Sequence, residues 1–98
     1  MKSRPDKQES REIRVAIRRV LLQVWDPIGV QDEPFAQDEY DRYLGDVYEL
    51  RLRGAPEDDI ANYLFWVAIE RMDFARWQAN SKTLEAARAL QRIPFPQS

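Results

Sequence analysis

The segment Trp25–Tyr43, W-D-P-I-G-V-Q-D-E-P-F-A-Q-D-E-Y-D-R-Y, interrupts an otherwise helical pattern and decides how the chain divides. It carries two prolines, one glycine and six carboxylates against a single cation. A residue before proline is biased away from helical angles, so Trp25-Asp26 ahead of Pro27 is a natural helix stop. Gly29 permits a tight bend between the apolar Ile28 and Val30. Pro34 blocks backward growth of the helix that follows. The pattern predicts an ordered, Ω-like loop from about Asp26 to Gln37, closed by Trp25, Ile28, Val30 and Phe35. A connection that long in a short chain is uncommon and often functional.

Upstream, Ile13, Ile17, Val20 and Val24 fall in one stripe at helical spacing, with Ala16 and Leu21 on its edges. They predict a first helix reaching about Trp25. Asp6 and Glu9 have capping-box spacing, and Ser10 is a second candidate cap. The opposite face holds Arg11, Val15, Arg18, Arg19 and Leu22. Val15 and Leu22, seven apart among arginines, suit ordinary surface, further packing or a second contact face, including one between two copies of the chain.

Downstream, a second helix is expected from near Asp38, with Glu39 and Asp41 favourable at its N-terminal dipole. Tyr40, Tyr43, Leu44, Val47 and Leu50 form its apolar stripe. Gly45 in its middle suggests a close helix contact, and Gly54 is placed to terminate it. Ala55-Pro56 with Glu57, Asp58 and Asp59 opens a third helix, with Pro56 at a first-turn position. Its stripe is Ile60, Tyr63, Leu64 and Val67. Phe65, Trp66 and Ile69 make it apolar all round, which predicts a central, buried helix reaching Met72. A weaker fourth helix, about Ser81–Arg92, turns Leu84, Ala87 and Leu90 inward. Asn80 or Ser81 breaks or recaps the chain before it, and Pro94 and Pro96 stop it. No strand alternation, internal repeat or low-complexity segment is present. The expected fold is all-α: one domain over 1–98, a bundle of about four helices, with 1–8 and 94–98 as frayed tails.

The residues Trp25-Asp26-Pro27-Ile28-Gly29-Val30, then Asp38-Glu39-Tyr40-Asp41 and Tyr43, Gly54, Ile60, Tyr63-Leu64, Glu70 and Met72 form a further pattern. Over roughly residues 12–74 the chain resembles the YugE-like family of small bacterial proteins of unknown function. The resemblance implies a compact helical domain and no particular activity. Asp73 departs from it, where a glycine is expected, which bears on the end of the third helix.

Composition narrows the chemistry. The chain has no cysteine and no histidine. That removes disulfides, thiolate nucleophiles, the usual general base near neutral pH and the commonest transition-metal ligand. Carboxylates at a helix N-terminus are held in the ionised form, the wrong direction for acid–base work. No phosphate-cradling glycine loop, nucleophile elbow or triad pattern occurs, so an enzyme is not expected. Nor does the acidic segment have an EF-hand spacing. Counted from Asp26, Ile28 and Val30 stand where oxygen ligands are needed, and counted from Asp32, Pro34 and Ala36 do. No metal and no cofactor are assigned.

The longest uninterrupted apolar run is Tyr63–Ile69, against about 20 residues for a membrane span. The polar start M-K-S-R-P-D-K-Q-E-S is unlike a secretory signal, so a cytoplasmic location is expected. Net charge is +4 over 1–24, −8 over 25–60 and +2 over 61–98. The arginines of the first helix suit phosphates, but the acidic middle and a pI near 5.2 argue against a general polyanion binder. What remains is a protein-binding module whose surface is Trp25, Asp26, Asp32, Glu33, Asp38, Glu39, Tyr40, Asp41 and Tyr43. Acids beside aromatic residues suit a basic partner. An antitoxin-like or immunity protein blocking a basic, nucleic-acid-cutting partner is one version. A nucleic-acid-associated protein using the Arg-rich face is another alternative. The same three rings also suit plain core packing, with tyrosine hydroxyls bonding Asp26 to fix the loop.

Overall fold

Asp6 starts the first helix as a reciprocal cap. Its carboxylate accepts from the Glu9 amide at 2.8 Å, and its own amide donates to Glu9 Oε1 at 3.0 Å. The computed structural model describes residues 5–26, 40–71 and 76–95, and of 71 and 76–80 the backbone alone. Helix α1 spans Lys7–Val20 and runs without a break into a π-helical turn, Leu21–Trp25. Lys7 and Gln8, expected in the tail, are therefore helical. The amide of Asp26 reaches back five residues to the Leu21 carbonyl at 2.8 Å, the bond that widens the turn.

Helix α2 spans Asp41–Leu52, with Tyr40 at its N-cap, so among the described residues it begins later than Asp38. Its end is a full Schellman closure. Gly54 N–H bonds the Arg51 carbonyl and Ala55 N–H bonds the Leu50 carbonyl, with Gly54 at φ +74°. Helix α3 spans Glu57–Trp66 and continues as a second π-helical turn, Val67–Arg71. Pro56 sits at the N-cap, one position earlier than expected, and its carbonyl accepts from Asp59 and Ile60. Helix α4 spans Arg76–Gln91. It passes through Asn80 and Ser81 without a break and starts five residues before the expected Ser81. The described residues contain four helices and no strand, the all-α bundle that the periodicity implies. Among the described residues no helix is long and apolar enough to cross a membrane.

The core is continuous. Ile13, Ile17, Leu21, Leu22 and Trp25 from the first helix meet Tyr40, Tyr43, Leu44, Val47 and Tyr48 from the second. Ile60, Ala61, Leu64, Val67 and Ala68 meet Ala86, Ala87 and Leu90 across the α3–α4 contact. The central helix is α4 rather than α3, because α4 touches α3, α1 and both π turns. Its inward stripe is Thr83, Ala86, Ala87 and Leu90, with spacing i, i+3, i+4 and i+7. Small side chains at 86 and 87 let neighbouring backbones approach. Leu84, expected inside, lies off that stripe and is 46% exposed. Trp66 is 49% exposed, so α3 is not buried all round. Its main contact is with α4, which leaves one side outward.

Two further expectations change. A Cβ built at Gly45 meets nothing within 4 Å, so no close helix contact requires that glycine. Phe95, expected in the frayed tail 94–98, does not fray: it packs on Tyr48 with ring centroids 5.7 Å apart, two residues after the buried Ile93. Phe95 also lies under Arg51, whose guanidinium stands 4.3 Å from the ring centre and donates to the Leu90 carbonyl. Arg14 covers Tyr48 at 4.6 Å, and the Tyr48 hydroxyl donates to Ser10 Oγ at 3.0 Å. Two packed rings, Tyr48 and Phe95, thus lie between two cations, Arg14 and Arg51, and join α1, α2 and the residues after α4.

Candidate functional site

The end of α1 positions the site. An α-helical turn would carry Leu22 toward the arginine face. The structure nonetheless buries Leu22 together with Leu21 and Trp25. Leu22 is only 5% exposed, which removes it from the second contact face. Val24, placed in the core stripe by α-helical spacing, is left partly covered.

Trp25 is 2% exposed and forms the centre of an aromatic junction. Its ring meets Tyr40 at 5.4 Å, tilted by 56°, and Tyr43 at 6.3 Å, edge to face. Its indole N–H donates to Thr83 Oγ1 at 3.3 Å, which satisfies the one polar atom of the ring inside the core. Tyr40 is 1% exposed and Tyr43 9%. The three rings therefore do not form an exposed surface. Large apolar area, with partners for the Trp25 N–H and the Tyr40 hydroxyl, favours the core, which is the packing alternative weighed for the three rings.

Asp26 stands at the rim in the left-handed region, with φ 30° and ψ 58°. Among the described residues it alone has positive φ without being glycine. Aspartate tolerates that conformation better than most side chains do. Its carboxylate accepts the Tyr40 hydroxyl at 2.7 Å. The chain leaves the described core at Asp26 and re-enters it at Tyr40, and these two residues are bonded to each other. Asp32, Glu33, Asp38 and Glu39 lie between them, outside the described residues, as does the expected packing of Ile28, Val30 and Phe35.

Asp41 is committed elsewhere. Arg18 grips it with two parallel bonds, Nε to Oδ1 at 2.9 Å and Nη2 to Oδ2 at 2.6 Å. The pair ties α1 to the first turn of α2, where a carboxylate also meets the helix dipole. It takes Arg18 out of any row of cations open to phosphates. Arg11, Val15 and Arg19 remain exposed on α1. Among the described residues, no group of three or more carboxylates is placed to hold a metal ion.

Two residues that matter here carried little signal. Thr83 belongs to the inward stripe of α4, but a threonine beside two alanines gives that stripe little hydrophobic contrast. Arg51 stands in the last turn of α2, where a cation is ordinarily a solvated charge favourable to the helix dipole. It is instead 9% exposed, and burial holds its guanidinium pKa below the ordinary value. No family model, curated protein or solved structure matches this chain.

Proposed function

We propose that this chain is a cytoplasmic protein-interaction module whose partner presents a basic surface. Its recognition element is the acidic segment between Asp26 and Tyr40, carrying Asp32, Glu33, Asp38 and Glu39. One observation carries the reading: the Tyr40–Asp26 bond beside the buried Trp25 anchors both ends of that segment at one point of the core. Anchored ends lower the ordering cost of binding, and clustered like charges steer an oppositely charged partner. Trp25, Tyr40 and Tyr43 act as supports, while the carboxylates make the contact. The likeness of W-D-P-I-G-V and D-E-Y-D to the YugE-like family adds no activity to this reading.

The test is a tagged pull-down from the native host at low and moderate salt, with the captured proteins identified by mass spectrometry. Wild type is compared with Asp32→Lys/Glu33→Lys. The expected result is a basic protein retained by wild type, lost by the variant and released as salt rises. Equal retention by the charge-reversed variant would overturn the acidic-segment reading.

A further inference from the structure

We propose that α1 carries a self-complementary face through which two copies of this chain associate about a two-fold axis. The face uses none of the residues of the acidic segment. Glu12, Val15, Ala16 and Arg19 recur at i, i+3, i+4 and i+7, so they form one stripe on the outside of α1. Val15 is 49% exposed, a large apolar side chain open to solvent. Glu12 and Arg19 are exposed one turn to either side, and Ala16 is half-buried beside Val15. Among the described residues Arg19 has no ion-pair partner.

The order of charges selects the arrangement. Two α1 helices packed in parallel would place glutamate on glutamate and arginine on arginine. Packed antiparallel, with the axis between Val15 and Ala16, each Glu12 faces Arg19 of the second copy, and each Val15 faces the other's Ala16. Both charged positions lie three and a half residues from that axis, about 5 Å along the helix. At that distance two helices crossing at about 50° still touch. Ala16 also forms one wall of a shallow groove of about 420 Å³, lined by Ile13, Ile93, Pro94 and Phe95 with Glu9 and Glu12 at its edge. Val15 of the second copy meets apolar side chains there. One helix crossing is a small interface, so the association is weak and concentration-dependent.

Sedimentation equilibrium of the full chain, from micromolar to millimolar, tests this. Wild type is expected to pass from monomer to dimer. Glu12→Arg alone and Arg19→Glu alone each put like charges together at both symmetric contacts. Each should weaken association by about tenfold or more. The double variant Glu12→Arg/Arg19→Glu restores both pairs and should recover the wild-type constant. Circular dichroism checks that all variants stay helical, as expected for exposed positions. A wild type that stays monomeric throughout, a series growing past the dimer, or single reversals that change nothing would each overturn the proposal. So would a double variant that fails to recover.

Discussion

Two glycines of α2 and its boundary carry opposite demands. At Gly45 an added methyl meets open space, and alanine has the higher helix propensity. Gly45→Ala should raise stability by about 1 kcal/mol, read as a higher urea midpoint with an unchanged slope. Gly54 sits at φ +74°, where a Cβ is strained whatever the space around it. Gly54→Ala should lower stability by about 1 kcal/mol, because the Schellman closure needs that angle. Thr83 shows the same dependence on surroundings. Its hydroxyl is the acceptor for the Trp25 indole inside the core. Thr83→Val keeps the shape and removes the acceptor, and should cost about 1–3 kcal/mol for a buried donor left unmet. Trp25→Phe should cost less in the Thr83→Val background than in wild type, because the donor it removes is already unmet there.

At the scale of the elements, the number of helices and most of their faces were legible from apolar spacing alone. Ile13, Ile17, Val47, Ile60, Leu64 and Leu90 are where a 3.6-residue period puts them. The exceptions have separate causes. A π turn breaks that period, and nothing in Leu21-Leu22-Gln23-Val24-Trp25 announces one, so Val24 is left only partly covered. Leu22 stands among arginines by spacing yet is buried, the further-packing alternative for that position. The inward stripe of α4 is built from Thr83 and two alanines. It carries little hydrophobic contrast, so the larger Leu84 was mistaken for its core residue. The site was legible in part. Aspartate before proline marked the helix end, and Tyr40 was rightly considered as a bond to Asp26. That Trp25, Tyr40 and Tyr43 all turn inward depends on tertiary packing, which composition does not reveal. Tyr40→Phe tests the role of that junction. It should keep the ring packing and lose about 1–2 kcal/mol in urea unfolding, because the lost bond has a carboxylate acceptor. Partner capture should weaken while circular dichroism stays unchanged.

Over the whole molecule, the stack of Arg14, Tyr48, Phe95 and Arg51 links three parts of the chain far apart in sequence. Cation–ring contacts are worth most when partly withdrawn from water, and Arg51 is withdrawn further than Arg14. A double-mutant cycle of Arg51→Ala and Phe95→Ala, followed by urea unfolding, should give a coupling of about 1 kcal/mol. A coupling near zero would reduce their contact to simple proximity. The charge pattern of the chain has a matching logic. Arg18 on Asp41 cancels one positive charge of α1 against one negative charge of α2 and leaves the net charge of −2 unchanged. Asp26, Asp32, Glu33, Asp38 and Glu39 stand together in sequence, so the charge of that segment is more negative than the net value suggests.

The clamp between Asp26 and Tyr40 has an engineering consequence. When both ends of a segment are fixed by the core, closure entropy grows only with the logarithm of its length, about 0.6 kcal/mol for each doubling. The helices need not move to accommodate a longer connection, since the two exit points are bonded to each other. Residues 27–39 are thus a natural grafting site, where a foreign peptide could be displayed from a fixed base.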